Sequence, residues 1–171
     1  VGAKSSLDFS GVTLGLDARY ASLTLDDSVA NALSVDDANS IAKIMLTAKM
    51  GIVSAKVLYA MTDVDGGLTA LDNYAVTTVN GWSTTVNGKA DADYWQAVAG
   101  VDVLSNLNLS ANYVNVDYST SSTTDVEEEE IYAQLLYKMS KNFSTYVRYG
   151  TYTKETTVAN VTTDNNDDVR G

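Results

Sequence analysis

Residues 93–117, DYWQAVAGVDVLSNLNLSANYVNVD, decide the fold class of this chain. Apolar and polar side chains alternate along them, most clearly where Leu107, Leu109 and Ala111 are interleaved with asparagine and serine. A period of two residues places successive side chains on opposite faces of a β-strand. The alternation breaks only around Ser105, where two strands can meet in a tight turn. The stretch therefore predicts an antiparallel hairpin with one apolar and one polar face.

The same alternation recurs along the chain in runs of about ten residues, which is the length that a tilted strand needs to cross a bilayer. Further tight connections are predicted at Met50-Gly51 and around Lys141. Seven strands are predicted in all, near 12–20, 41–50, 52–63, 93–104, 106–117, 128–139 and 142–153.

Long polar stretches separate these hairpins. Short turns on one rim and long loops on the other are typical of outer-membrane barrels, whose short side is periplasmic. The pattern predicts an all-β fold of antiparallel transmembrane β-barrel strands in a meander, with 1–171 as a single β-barrel segment. Its long extracellular loops are expected near 26–39, 64–91, 118–127 and 154–171.

Two of these stretches leave alternatives open. The 64–91 stretch contains two Val-Asn-Gly triplets, so it can hold a small extracellular hairpin or an extra strand pair, because Asn-Gly favours a type I′ turn. Since it is the longest and contains Trp82, it is also the loop most expected to enter a pore. The alanine-rich residues 28–48 can begin a helix with Ser34 or Asp36 as N-cap.

Composition excludes several classes of function. The 171 residues include no Cys, no His and no Pro, which removes thiol redox chemistry, Cys/His zinc sites and histidine acid–base catalysis. The formal net charge of -11 argues against a nucleic-acid surface. No run of about 20 apolar residues predicts a membrane helix. We expect no enzyme activity, no cofactor and no metal.

Two acidic clusters invite a different interpretation. Glu127 to Glu130 form a run of four glutamates, and residues 164–168 read DNNDD. Carboxylates at an extracellular rim can attract divalent cations. Most charge runs are simply solvated, and this is the simpler reading of both clusters.

The two faces of the predicted strands differ in chemistry. The apolar face repeatedly ends in tyrosine, which suits an aromatic girdle at the level of the lipid headgroups. The opposite face carries charges of both signs at mid-strand positions, which fit a water-filled lumen. The alternative is a soluble sandwich with ordinary core tyrosines and solvated charges. The predicted girdle residues are Tyr20, Tyr59, Tyr113, Tyr137 and Tyr149; the predicted pore-lining residues are Asp17, Arg19, Lys43, Lys49, Lys56, Asp102, Lys138 and Arg148.

Residues 91–171 also carry a family resemblance. The runs DADYWQAVAGVDVLSNLNLSANYVNVDY, EEEEIYAQLLYKMSKNFSTYVRYGTYTKE and DNNDDVRG resemble the C-terminal hairpins of Campylobacter-type (epsilon-proteobacterial) major outer membrane porins. The resemblance lies in tyrosine-rich strands joined through a K-x-S-K-N-F-type turn and followed by a polar loop. It implies a large barrel in the outer membrane that assembles as a homotrimer and passes small hydrophilic solutes and ions, with loops folded into the pore.

The chain departs from this family in two respects. It is too short for such a barrel, and it stops at Val169-Arg170-Gly171, where a strand ending in an aromatic residue is expected. Both departures predict a fragment of a longer chain rather than a complete barrel of eight strands.

The sequence thus predicts a bacterial outer-membrane porin, in contact with lipid, that passes ions and small solutes by passive diffusion. The acidic total charge predicts a mild cation preference, which lysines on the charged face oppose. The alternative is a structural or adhesive cell-surface β-protein without a pore.

Overall fold

The computed structural model describes residues 1–33, 36–64, 77–159 and 161–171, without the side chains of residues 33 and 163–167. Strands dominate this part of the chain. In order the elements are β1 (Gly2–Phe9), β2 (Val12–Thr24), α1 (Asp27–Leu33), β3 (Ala38–Met50), β4 (Val53–Thr62), β5 (Ala90–Leu104), β6 (Leu107–Ser121), β7 (Thr124–Lys138), β8 (Ser144–Val158) and β9 (Val161–Arg170).

The nine strands form a single antiparallel sheet in which each strand pairs with its neighbours in sequence. This confirms the predicted antiparallel meander. Within the described ranges no pairing joins β1 to β9, so the sheet is open as described.

Two rims run along the ends of the strands. The turn rim carries four short connections, at residues 10–11, 51–52, 105–106 and 139–143. In the first of them Ser10 and Gly11 both have positive φ, as a type I′ hairpin turn requires. The loop rim carries the connections at residues 25–37, 63–89, 122–123 and 159–160. The predicted turns near 51, 105 and 141 are therefore confirmed.

Two predicted long loops were wrong. Residues 118–127 belong to β6 and β7 apart from a turn at 122–123, and residues 154–171 are mostly the end of β8 and all of β9. Polar residues predominate on both faces of these strand ends, so a regular apolar alternation that would reveal a strand is missing. The same reason explains why β1 and β9 were not predicted, since β1 has large apolar residues only at Leu7 and Phe9.

A short helix lies in the connection between β2 and β3. Its cap is Asp26, whose Oδ1 accepts hydrogen bonds from the backbone N–H of Ser28 at 2.9 Å and from Ser28 Oγ at 2.6 Å. The predicted cap Asp36 lies beyond the helix instead, and Ser34 lies outside the described residues. In the ranges that the structure describes, no helix has the length and apolar character needed to cross a membrane.

The registers give the sheet two chemically distinct faces. The charged face is the side that Arg19 and Lys43 share as a register pair, and the apolar face is the side that Leu16 and Leu46 share. Large apolar residues on the apolar face are exposed, including Trp95 at 49%. The packed core lies on the charged face, between the sheet and residues 77–89 of the β4–β5 connection. In a soluble sandwich the packed core would instead lie against the apolar face of the sheet.

Near the loop rim the apolar face becomes acidic. Asp93, Asp117, Glu127 and Glu155 are direct register partners on β5 to β8 and point to this side. These four strands have 15 residues each, several more than the roughly 9–11 that span a bilayer. On these strands the apolar part of this face therefore lies on the turn-rim side of the acidic row.

Candidate functional site

All eight charged residues singled out by the sequence lie on the charged face. The structure brings Arg19 and Lys43 together as register partners, and Gln134 pairs with Arg148. The others reach this face through the same alternation on their strands; the eight are Asp17, Arg19, Lys43, Lys49, Lys56, Asp102, Lys138 and Arg148.

The segregation of basic residues extends further than predicted. In the described strands every lysine and arginine lies on the charged face, which adds Lys4, Lys154 and Arg170 to the predicted set. These three were missed because they lie in β1, β9 and the polar end of β8, where no apolar alternation marked a strand. The charged face is therefore more basic than the sequence of the whole chain indicates.

Carboxylates on this face mostly have partners. Asp17 Oδ1 accepts from Arg19 Nε at 2.8 Å, and Asp102 accepts from Lys49 at 3.0 Å and from Asn108 at 2.9 Å. Among the described residues, by contrast, Lys43 and Lys56 have no carboxylate within ion-pair distance. The unbalanced charge of the face is thus positive.

Residues 77–89, here called the wall segment, lie on the charged face. Val79 and Val86 are 2% and 0% exposed and pack in the core cluster with Tyr94, Val114 and other residues of the sheet. The segment contains a minimal hairpin, because Asn80 and Thr85 form a bridge. The hairpin foreseen in 64–91 is therefore present, although it turns through residues 81–84 rather than at an Asn-Gly pair; residues 65–76 lie outside the described ranges.

Glu130 attaches the tip of the wall segment to β7. Glu130 is 2% exposed, and its carboxylate accepts hydrogen bonds from the backbone N–H groups of Trp82 at 2.8 Å and Ser83 at 2.5 Å. Thr84 Oγ1 adds a third at 3.2 Å. Three donors on one carboxylate satisfy a group that burial would otherwise penalise heavily.

Glu128 attaches the end of the segment. It accepts from Lys89 Nζ at 2.9 Å and from the hydroxyl of Tyr118 at 2.8 Å, and Lys154 lies at 3.8 Å. Burial lowers the pKa of Lys89 below its ordinary value, and the adjacent Glu128 acts in the opposite direction. The ion pair with Glu128 therefore favours the charged form of Lys89 against the effect of burial.

The glutamate run is thus divided between the two faces. Glu128 and Glu130 point to the charged face, whereas Glu127 and Glu129 point to the apolar face. Reading the run as one solvated cluster was wrong, because strand alternation continues through it. The described part of the chain contains no group of acidic residues placed to hold a metal ion.

An aromatic and arginine cluster borders the tip of the segment. The rings of Trp82 and Tyr132 meet edge to face at 5.5 Å. The Arg148 guanidinium lies 4.6 Å from the ring centroid of Tyr146 and donates through Nε to Gln134 at 2.6 Å. Stacked in this way, Arg148 is held in one orientation.

The five predicted girdle tyrosines all lie on the apolar face, and none belongs to the core cluster. Tyr59 stacks on Trp95 with ring centroids 4.5 Å apart. Four of the five lie towards the loop-rim end of the apolar band, and Tyr137 lies near the turn rim. The four are Tyr20, Tyr59, Tyr113 and Tyr149.

Replacing Gly81 with alanine is expected to displace the wall segment. An added Cβ would overlap the carboxylate of Glu130 and the hydroxyl of Thr84, and Val114 leaves no room on the third side. Overpacking of this kind costs about 1–3 kcal/mol. Limited trypsin digestion should then cut after Lys89 roughly tenfold faster or more. The Thr78→Ala variant, changed at an exposed position of the same segment, should be cleaved after Lys89 at the wild-type rate. Equal cleavage rates in the two variants would contradict the packing argument.

Comparisons with known proteins agree with this architecture. A family model described as Gram-negative porin matches residues 1–157. The crystal structure of Pseudomonas aeruginosa OccK10 (OpdN) is similar with a TM-score of 0.66 and 20% sequence identity, over 98% of this chain and 49% of that one. The chain thus spans about half the length of that structure, and at this identity the likeness concerns the fold. No curated protein matches.

Proposed function

Since this chain belongs to the Gram-negative porin family and is thus part of an outer-membrane protein, we propose that it forms the wall of a water-filled channel. Ions and small hydrophilic solutes would cross it by passive diffusion. The observation that carries the proposal is the separation of the two faces. Every strand-borne lysine and arginine of the described residues is on one face, and the large exposed apolar residues crowd the other. Such a wall suits water on one side and lipid on the other.

The tyrosines support the lipid side of this proposal. In register, Tyr59 lies two residues nearer the turn rim than the Tyr20 row, Tyr113 two residues nearer than the Tyr59 row, and Tyr149 two nearer again. The line through them therefore descends by about one residue per strand. With about 3.4 Å per residue and 4.8 Å between strands, it makes an angle of about 35° with the register rows. Outer-membrane strands tilt by about 35–45°, so these tyrosines would share one level at the headgroups.

The charged face supports the lumen side. If the charged face lines the pore, the pore wall would contain the eight predicted residues together with Lys4, Lys154 and Arg170. Because its carboxylates are largely paired and Lys43 and Lys56 are not, we infer a preference for anions rather than the mild cation preference expected from total charge. The preferred solutes would be small anions and anionic hydrophilic molecules.

The wall segment would narrow the channel. It covers the charged face of β4 to β7 with residues such as Trp82, so solutes would pass beside it rather than over a bare wall. Size selection would then depend on how firmly the segment is held.

Two finer proposals concern relatives and assembly. The tyrosine-rich hairpins of 91–171 support a place among porins of the Campylobacter type. On the apolar face, five alanines are successive register partners and leave a shallow furrow flanked by larger residues, which supports close packing of barrel walls in a homotrimer. They are Ala48, Ala55, Ala99, Ala111 and Ala133. The molar mass of the detergent-solubilised protein tests the trimer.

We propose no catalytic role. The chain lacks His and Cys, and the buried carboxylates Glu128 and Glu130 are engaged in holding the wall segment.

Conductance in a planar bilayer tests the proposed channel. The protein at its native length should give discrete, long-lived current steps, and under a potassium chloride gradient the reversal potential should favour chloride. A reversal potential favouring potassium would contradict the inferred anion preference while leaving the channel in place. Absence of steps, together with solubility free of detergent, would favour the alternative of a structural or adhesive β-protein.

A further inference from the structure

The tip of the wall segment, residues 81–84, forms a binding site for a carboxylate. Residues 81–84 turn so that two successive backbone N–H groups and one hydroxyl converge on the same point, which Glu130 occupies. Successive N–H groups arranged in this way form a concavity that favours an anion. Gly81 allows the approach, since a side chain there would overlap the carboxylate.

The contacts around this point differ in kind. Glu128 holds Lys89 through a charged pair at the end of the segment, and Arg170 donates to Ser83 Oγ from β9. Among the side chains that the structure describes, Glu130 alone accepts from the backbone N–H groups of the tip, residues 81–84, where the segment reverses direction. Removing it would leave two N–H groups without their acceptor in a partly buried site, which is costly.

We propose that Glu130 is the positioning residue of the channel constriction, and that the turn 81–84 is a built carboxylate site which a free formate or acetate ion can fill when the Glu130 side chain is removed. The inference rests on the proposed channel as far as solute passage is concerned. The docking of the tip itself can be measured without any current.

A single cysteine provides that independent readout. The chain has no cysteine, and Val86 is fully buried on the side of the wall segment that packs against the sheet. In a Val86→Cys background, a small methanethiosulfonate reagent reacts only when the segment lifts. Glu130→Ala should raise the labelling rate at least about tenfold, because several hydrogen bonds are lost together. Glu129→Ala is the matched control, since Glu129 immediately precedes Glu130 in β7 and its side chain points to the apolar face.

Chemical rescue distinguishes a carboxylate site from general loosening. Replacing chloride with formate at equal ionic strength should return the labelling rate of Glu130→Ala most of the way to that of the parent, and should leave Glu129→Ala unchanged. Glu130→Gln keeps the volume but turns one oxygen into a donor, so it should label faster than the parent and not respond to formate. An unaltered labelling rate in Glu130→Ala, or formate protection equal in all variants, would overturn the proposal.

The bilayer measurement links the site to the constriction. Single-channel conductance of Glu130→Ala, compared with the wild type in the same chloride and formate solutions, should be larger and noisier in chloride and approach the wild type in formate. Wild-type conductance combined with fast labelling would show a docked tip that does not form the constriction. No current from the wild type, with rescue of labelling intact, would overturn the channel and not the carboxylate site.

Discussion

Replacing Leu135 with arginine is expected to destabilise the membrane-inserted protein by about 2–3 kcal/mol, the cost of an arginine near the middle of the lipid face of a barrel. Leu135 lies on the apolar face of β7 with 41% of its surface exposed, between Leu109 and Val147 in register. The guanidinium would have to leave water for hydrocarbon or distort the bilayer locally. At a factor of ten per 1.4 kcal/mol, the ratio of folded to unfolded protein should fall roughly 30- to 140-fold.

The adjacent residue supplies the control. Leu136 has the same side chain in the same strand, but it points to the charged face beside Asn108. Leu136→Arg should therefore cost much less, since its charge would remain in water. Denaturant titration of the protein refolded into lipid vesicles measures both variants. Equal destabilisation by the two arginines would contradict the assignment of lipid and water to the two faces.

Reversing the charge of Lys43 and Lys56 together is expected to reverse the ion selectivity. Neither lysine has a carboxylate within ion-pair distance among the described residues, so in the proposed channel their charge would act on passing ions rather than on a partner. One unit charge about 8 Å from an ion contributes roughly 0.5 kcal/mol in bulk water, and salt reduces this over about 10 Å at 0.1 M. Replacing both with glutamate should shift the anion-to-cation permeability ratio roughly tenfold towards cations.

The reversal potential under a salt gradient measures this shift. Lys141→Glu is a suitable control, because Lys141 lies in an exposed turn on the turn rim. It should change the reversal potential only slightly. If the double variant keeps the wild-type reversal potential while the channel still conducts, the charged face does not control ion passage.

The sequence predicted the fold well where one side of a strand meets a different medium from the other. The alternation through Leu107, Leu109 and Ala111 requires such a difference, and β2 to β8 were foreseen for this reason. It failed for β1, for β9 and for the ends of β6 and β7, where polar residues predominate and no regular apolar alternation is present. Their pairing comes from backbone hydrogen bonds to a neighbouring strand, and a single sequence carries no signal for that.

The candidate site was predictable in part. Period-two placement was enough to put Lys43, Lys56 and Arg148 on one face. The role of Glu130 was not predictable, because it depends on the wall segment folding back across several strands to reach it, a contact 47 to 48 residues away in sequence. The one available clue was that Glu128 and Glu130 share a strand face with Gln134.

The division of the glutamate run between two faces bears on how this strand avoids folding errors. If β7 slipped by one residue against its neighbours, Glu127 and Glu129 would replace Glu128 and Glu130 on the charged face, so the run itself would hardly resist the slip. The other half of the strand would resist the slip, because it would move the side chains of Ile131, Leu135 and Tyr137 from the apolar face to the charged face. The register of β7 is therefore determined by its apolar half. That register in turn places Glu128 and Glu130 where they can bind the wall segment.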